Sequence, residues 1–225
     1  MSTLAENALD SAISTSARKP SMRKNGQQRL KLLIESTDAL LHEHDVGDVN
    51  LNRIAERAGV PIASVYHFFP SKDAALIELA DVYFGMILDA GRQAISPPPQ
   101  SWQELIAYRL RDVMQFYNDH PASMKLFFGT TINAEVRRRD MTGIVVIAEA
   151  RAEILERYFI VPTIPDWIAR LSNSVALNDG IWALAYSRDG RITAGALEEG
   201  IRATTAYLRC FLPEYLPPRS TGAGS

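Results

Sequence analysis

Apolar residues recur at intervals of three and four positions along most of the chain, which is the spacing of one face of an α-helix. Two short helices are predicted at 51–58 and 62–68, and a longer helix starts at Ser71, a residue type that caps helix N-termini. Residues 1–22 lack this periodicity and are predicted to form a disordered arm. Before the short helices, an amphipathic helix of about five turns has its apolar face at Leu30, Leu33, Ile34, Leu40 and Leu41.

The second half of the chain continues the helical spacing. Further helices are predicted at 101–120, 121–128 and 133–159. The last two helices have the most regular spacing, at Ile168, Leu171, Val175, Asn178, Trp182 and Ala185, and at Ala194, Leu197, Ile201, Thr204, Leu208 and Phe211. No segment has the alternating pattern of a strand, so the predicted fold class is all-α, with about nine helices.

The segment 51–68 combines local signals of a helix-turn-helix. Ala55 places a small side chain where two helices cross at a steep angle, and Gly59 permits the left-handed conformation that ends the first helix. Pro61 suits the start of the second helix. The apolar side chains spaced to fill the region between the two helices are Ile54, Val60, Val65 and Phe68.

Charge is unevenly distributed, although the net charge is only −2. Residues 18–72 carry a net charge of +3, whereas the segments before and after them are acidic. A basic front on an acidic body is typical of proteins that bind nucleic acid through one domain. Basic residues at the end of the arm either lie along phosphates or form a solvated tail; they are Arg18, Lys19, Arg23 and Lys24.

Three features predict a soluble, cytoplasmic protein that has no membrane partner. The first twenty residues lack the apolar region of a secretory signal. The most apolar run, Ile144–Ala148, is too short to span a bilayer. The single cysteine, Cys210, cannot form an intramolecular disulfide, and we expect it in the core near a helix end.

The titratable residues indicate neither a metal site nor a catalytic site. His42 and His44 are two positions apart, so they point to different sides of a helix, and no HExxH motif is present. The four histidines and one cysteine form no recognisable catalytic set, and no phosphate-binding glycine loop occurs. We therefore expect no metal, no cofactor and no enzyme activity.

Two other functional classes stay open. An α-helical enzyme would turn over a ligand that co-purifies with the protein. A helical DNA-organising protein without an effector would bind DNA with little dependence on sequence and would have no ligand-sized cavity.

Residues from about Leu30 to Leu76 resemble the DNA-binding domain of the tetracycline-repressor (TetR) family. The resemblance is carried by Ile54-Ala55-x-x-Ala58-Gly59-Val60 and by Ser64-Val65-Tyr66-His67-Phe68-Phe69-Pro70-Ser71-Lys72-Asp73. It implies a bacterial transcription regulator, more commonly a repressor than an activator, with an N-terminal three-helix DNA-binding domain and a C-terminal helical domain for ligand binding and dimerisation. The rest of the chain agrees with that family in its layout of helices.

The resemblance implies that helix 62–68 enters the major groove of operator DNA. Ile62 and Ala63 would make apolar contacts to bases, whereas Ser64 and His67 would form hydrogen bonds to base edges. Tyr66 and Lys72 match positions that contact phosphates, and Phe69 is expected in the core. The residues expected at the DNA are Asn50, Pro61, Ile62, Ala63, Ser64, Tyr66, His67 and Lys72.

The resemblance also implies a homodimer, in which the last two helices pair with their symmetry mates as a four-helix bundle. The residues expected at this interface are Ile168, Leu171, Val175, Ala194, Leu197, Ile201 and Leu208. A small, largely apolar effector is expected in a pocket lined by Ile87, Leu110, Met114, Tyr117, Phe128, Ile144, Asn178 and Trp182. Asn178 either sets the register of the dimer or faces the effector.

The expected organisation has four parts: an arm at 1–22, the DNA-binding domain at 23–72, the ligand-binding and dimerisation domain at 73–216, and a flexible tail at 217–225. The effector would favour a conformation in which the two DNA-binding helices are wrongly spaced for the operator. Effector and operator would then weaken each other's binding.

Overall fold

The computed structural model describes residues 12–13, 24–129 and 134–219, and the predicted all-α fold is confirmed there. The helices of these ranges are α1 Lys24–Glu43, α2 Leu51–Ala58, α3 Ile62–Phe68, α4 Lys72–Arg92, α5 Trp102–Asp119, α6 Pro121–Phe127, α7 Ala134–Tyr158, α8 Trp167–Asp189 and α9 Ala194–Leu208. None of the helices described has an apolar stretch long enough to cross a membrane.

The chain divides into two compact units. The first comprises the described residues within Met1–Met86 and Tyr117–Asp140, and the second those within Ile87–Phe116 and Met141–Ser225. The division therefore falls inside α4, whereas the sequence led us to expect a boundary at residue 72. Contacts of α1 with the later helix α6 join residues from Tyr117 onward to the first unit. Lys125 of α6 also donates to the carbonyl oxygen of His44, directly after α1, at 2.9 Å.

Local chemistry sets the bounds of α2 in the first unit. Asn50 has extended backbone angles, and its side-chain oxygen accepts from the Arg53 N–H at 3.0 Å, which satisfies one of the free donors at the helix start. Gly59 ends the helix with φ 63° and ψ 36°. The N–H groups of Gly59 and Val60 bond back to the carbonyls of Glu56 and Ala55, a Schellman arrangement that turns the chain toward α3.

A buried polar cluster lies in the core of the first unit. Asp38 of α1 accepts a hydrogen bond from the fully buried hydroxyl of Tyr83 on α4, and His42 Nε2 lies 3.6 Å from the second Asp38 oxygen. The ring of Tyr83 also contacts His120, with centroids 6.1 Å apart. Burial raises the pKa of Asp38, while the Tyr83 hydrogen bond and the charges of His42 and His120 act in the opposite direction.

This cluster predicts a pH-dependent effect of Asp38→Asn. Because the pKa of Asp38 in the folded state lies above its ordinary value of 3.8, the folded state binds this proton more tightly. The contribution of Asp38 to stability is therefore fully present below pH 3.8 and falls as pH rises through the folded pKa. Asparagine keeps the acceptor for Tyr83 without the charge, so its unfolding free energy relative to wild type should increase as pH rises. Denaturant titrations across this range measure the difference, and a constant difference would contradict the account.

The second unit contains a helical hairpin formed by α8 and α9. Gly190, with φ 67°, ends α8, and the Thr193 side chain caps α9 by accepting from the Ala196 N–H at 3.2 Å. The helices are in tight contact at Gly200, where an added Cβ would overlap Asn178 Oδ1. Trp182 is fully buried beside this point and donates its indole N–H to the carbonyl of Ala196 at 3.3 Å.

Three expectations from the sequence need correction. Ala12 and Ile13 of the predicted disordered arm are helical, and Ile13 is fully buried, as suits its apolar side chain; the other residues of 1–22 lie outside the described residues. The predicted flexible tail begins with residues that are bonded to the end of α7, since Arg219 N–H donates to Tyr158 O at 2.7 Å. Cys210 is exposed because α9 ends at Leu208, before it.

Candidate nucleic-acid interface

Helix α3 buries one side against the first unit and leaves the other side exposed. Val65 is fully buried in the α2–α3 core with Ile54, and Phe69 directly after the helix is 2% exposed. The Tyr66 side chain is 57% exposed. The opposite side of the helix and its first turn are exposed at Pro61, Ala63, Tyr66 and His67.

The remaining residues predicted at DNA lie around this exposed face. Ile62 and Ser64 are half-buried at the start of α3. Asn50 is exposed at the start of α2, where its side chain already caps the helix. Lys72 is half-buried, and its ammonium group donates to the Val46 carbonyl at 3.3 Å, which leaves two of its three N–H donors for other partners.

Two arginines attach α2 to the preceding segment rather than extending from it. Arg57 donates two hydrogen bonds to the carboxylate of Glu43, at 2.6 and 2.8 Å, and this bidentate bond lowers the pKa of Glu43. Arg53 donates to the Asp48 carbonyl at 3.0 Å, and its other terminal nitrogen lies 2.7 Å from His44 Nε2. These bonds fix α2 to the end of α1. Because α3 packs on α2, they also help to hold α3 in position.

The histidines that raised the question of a metal site have protein partners instead. His42 lies against Asp38, and His44 lies against Arg53. In the described ranges, no group of three or more His, Cys, Asp or Glu side chains is placed to hold a metal ion.

The second unit contains a cleft of about 60 Å³, which we call the effector cleft. Its wall is formed by α4, α5 and α7 and is mainly apolar, with Ile87, Leu88, Val113, Ile147 and Ile154 among its residues. Two cationic side chains also line it, Arg109 of α5 and Arg151 of α7.

Sequence reasoning missed these arginines, although a signal was present. Arg151 stands four residues after Ile147 and three before Ile154, so it occupies a position in the apolar stripe of α7. A charged residue at such a position is desolvated when the stripe is buried. Because the pocket was expected to be largely apolar, Arg151 was not predicted to line it.

The effector cleft includes one of the eight residues predicted to line a pocket, Ile87. Asn178 and Trp182 do not line this cleft; they pack against α9 at Gly200 and Ala196. This contact also answers the question left open for Asn178: its side chain faces the other helix of its own hairpin. Tyr117 and Phe128 pack on each other in the first unit, with ring centroids 4.9 Å apart. Leu110, Met114 and Ile144 are not among the residues that line the effector cleft.

Four residues of the predicted dimer interface are buried within the single chain. Leu171, Val175, Leu197 and Leu208 are buried by the chain itself, so their side chains are not available to a second copy. Ile168 and Ile201 are half-buried, and Ala194 is exposed. The outer surface of the hairpin instead exposes Leu177 and Leu184, at 41% and 73%.

A shallow groove lies on this outer surface between α8 and α9. It is bordered by Ile181, Leu184 and Ala185 on α8 and by Gly195 and Ala196 on α9, with Arg188 and Glu199 also at the groove. We call the groove together with Leu177 the outer hairpin face.

Comparison with known proteins gives one family match. The family model described as bacterial regulatory proteins, tetR family, matches residues 33–79. The HTH-type transcriptional regulator EthR of Mycolicibacterium smegmatis is 24% identical over 105 residues, which are 47% of this chain and 48% of EthR. The match with this curated relative therefore spans about half of its length.

Solved structures share the fold over most of the chain. A TetR transcriptional regulator from Rhodococcus sp. RHA1 is 19% identical and has a TM-score of 0.62, covering 82% of this chain and 98% of its own. SmeT, the repressor of the Stenotrophomonas maltophilia multidrug efflux pump SmeDEF, is 16% identical with a TM-score of 0.56, covering 82% and 90%. A SmeT–triclosan complex also matches, at 15% identity and a TM-score of 0.53 over 83% and 94%.

The segment matched by the family model contains α2 and α3 entire, together with most of the first helix that supports them. The solved structures share the fold over 82% of this chain. Residues 33–79 of this chain therefore match the tetR family of bacterial regulatory proteins, and the described fold is shared with solved regulators of that name.

Proposed function

We propose that this protein is a cytoplasmic repressor that binds a palindromic operator as a homodimer and is released by a small molecule. The proposal rests on the exposed face of α3. The helix is held in place by buried side chains on its other side, which are Ile54 of α2, Val65 of α3 and Phe69 directly after it. A short helix held in this way fits the major groove of B-DNA, which admits one α-helix.

The exposed face has suitable chemistry for base recognition. His67 and Ser64 carry groups that donate or accept hydrogen bonds, and we assign them to base edges. Ile62, Ala63 and Pro61 offer only apolar contact, for instance with the methyl group of thymine.

Three further residues are assigned to the DNA backbone. Tyr66 is exposed next to His67, Lys72 has spare N–H donors, and Asn50 lies at the start of α2. Contacts to phosphates fix the position of the protein on the duplex without selecting a sequence.

Substitutions of His67 and Lys72 distinguish these two roles. His67→Ala should cost about 1 kcal/mol or more in preference for the operator over altered half-sites. Lys72→Ala should weaken binding to every sequence alike and reduce the slope of log affinity against log salt by about one. Fluorescence anisotropy with operator and scrambled duplexes at several salt concentrations measures both quantities.

The matched control for the lost charge is Arg202→Ala on α9, whose side chain is 70% exposed. It should leave affinity, preference and salt slope as in wild type. If His67→Ala weakened binding to all DNA sequences equally, His67 would be assigned to contacts with the DNA backbone instead. A sequence-selective loss of affinity for Lys72→Ala would contradict its phosphate role.

The outer hairpin face is assigned to the dimer contact. Apolar side chains with large exposed fractions, such as Leu184, are stabilised when a second copy covers them. A two-fold axis would place the same face of each copy against the other, as in an isologous dimer. Two copies of α3 could then occupy half-sites one helical turn, or a multiple of it, apart.

The effector cleft is assigned to the releasing ligand. At about 60 Å³ it is smaller than the 300–1,000 Å³ typical of pockets for drug-sized molecules. A ligand of that size would therefore favour a conformation in which the cleft is wider. Helix α4 carries Lys72 at its start and Ile87 near its end, so a shift of this helix would reach the DNA-binding residues. SmeT, which shares the fold, has been obtained as a complex with triclosan.

A further inference from the structure

The effector cleft combines an apolar wall with two positive charges. Of the described residues that line it, Arg109 and Arg151 are ionisable, and neither Asp nor Glu is among them. Charges in an apolar surrounding are costly unless they are paired, so the chemistry of the two guanidinium groups restricts what can bind there.

Arg151 carries a partly desolvated charge. Burial lowers the pKa of Arg151 to about 10, and the charge of Asp179 only partly opposes this effect. At neutral pH the guanidinium is therefore still charged, but it is held with little water around it. The protein gives it a hydrogen bond to a neutral group, since Arg151 Nη1 donates to Ser174 Oγ at 2.7 Å.

Arg109 connects the cleft to the end of α4. Its terminal nitrogens donate to the carbonyls of Ala90 and Gln93 and to Asp112, a residue on the solvent side of α5. Its Nε atom is buried and has no hydrogen-bond partner. A buried N–H without an acceptor is unfavourable, and a ligand oxygen that accepted from it would remove that cost.

We infer that the effector is an organic anion, a carboxylate on an apolar chain, whose carboxylate binds the guanidinium groups of Arg109 and Arg151 while the chain packs on the isoleucines of the cleft. A neutral apolar ligand would leave the buried Arg109 Nε without an acceptor, and a cation would be repelled by the two guanidinium groups. This inference rests on the proposed function, because it specifies the chemistry of the molecule that releases the operator. Since Arg109 also bonds the Ala90 carbonyl in the last turn of α4 and the Gln93 carbonyl just after it, an anion that drew Arg109 inward would act on the end of that helix.

Three probes of equal chain length test the charge requirement: hexanoate, 1-hexanol and hexylammonium. The full-length protein, labelled at its isoleucine methyl groups, is titrated with each probe and followed by NMR. Ile87, Ile147 and Ile154 line the cleft and report binding there, whereas Ile181 and Ile201 on the hairpin serve as internal controls. Hexanoate should shift the cleft methyls at concentrations at least about tenfold lower than the other two probes.

Substitutions assign the effect to the two arginines. Arg109→Met or Arg151→Met should weaken hexanoate binding by about tenfold or more and leave 1-hexanol binding within about twofold of wild type. Arg202→Met on α9 removes the same charge from an exposed site and should change neither. If Arg151→Met does not give a native spectrum, Arg109→Met decides, since both side chains line the cleft.

Three results would overturn the inference: no shift of the cleft methyls by hexanoate, equal binding of 1-hexanol or hexylammonium, or hexanoate affinities in both cleft variants equal to that of Arg202→Met. The proposed function is tested separately, by retention of operator DNA. A neutral compound that shifted the cleft methyls and released the operator would contradict the inference of an anionic effector. It would not contradict the proposed repressor function.

Discussion

Replacement of Leu184 by glutamate is expected to separate the homodimer into monomers that no longer retain operator DNA. The side chain is 73% exposed in the single chain, so the substitution should change monomer stability by about 0.5 kcal/mol or less. In the dimer the two-fold axis would place a glutamate on each copy of the outer hairpin face. An uncompensated buried charge costs about 3–5 kcal/mol, which weakens association at least about a hundredfold. Sedimentation and operator-binding measurements at the same concentrations record both effects.

Two control variants separate loss of the dimer from loss of the fold. Leu184→Ala removes apolar contact without adding charge and should keep the dimer. Leu197→Glu places the charge at a residue buried inside the hairpin, so it should unfold the second unit rather than dissociate folded chains. A Leu184→Glu protein that sedimented as an intact dimer would put the interface on another surface.

Replacement of Ile54 by alanine is expected to cost about 2–5 kcal/mol of unfolding free energy. Ile54 is fully buried where α2 meets α3, and the shorter side chain leaves a cavity in a small core. The unfolding free energy of natural domains is only about 5–15 kcal/mol, so the substitution would remove a large part of it. Because the same core supports the exposed face of α3, operator affinity should fall with stability. Denaturation followed by circular dichroism gives the first quantity, and anisotropy gives the second.

Ile54→Val is the matched control, since it removes one methylene and should cost about 0.5–1.5 kcal/mol. A cost below about 0.5 kcal/mol for Ile54→Ala, with unchanged operator binding, would mean that the α2–α3 core does not position the DNA-binding helix.

The helix-turn-helix could be predicted to the residue because its signals are local. Asn50 caps α2 through an N–H three residues away, and Gly59 ends it through conformational freedom at one position. Predicted helices at 51–58 and 62–68 are the observed α2 and α3. Such signals need no knowledge of the rest of the chain, which is why they can be recognised without it.

The hairpin shows where periodicity stops being informative. Regular spacing correctly marks Leu171, Val175 and Leu208 as one apolar face, but burial by the same chain and burial by a second chain produce the same pattern. In this fold their own chain covers them. The outer hairpin face gives a weaker hydrophobic pattern in the sequence, because the apolar Leu184 is followed on the same surface by the charged Arg188.

The effector cleft could not be predicted because it depends on how α4, α5 and α7 pack within the second unit. Sequence periodicity locates apolar faces of each helix but not the gap that remains between three of them. Arg151 was visible as a charge inside an apolar stripe, whereas the role of Arg109 follows only from its bonds to the end of α4.

Selection of genomic DNA fragments by the purified full-length protein tests the central claim most directly. If α3 of each copy enters a major groove, the enriched fragments should share a two-fold symmetric site whose half-sites lie one helical turn or a multiple of it apart, and His67→Ala should alter the preferred half-site. Fragments bound in proportion to their abundance, with no common site and no effect of His67→Ala, would contradict it.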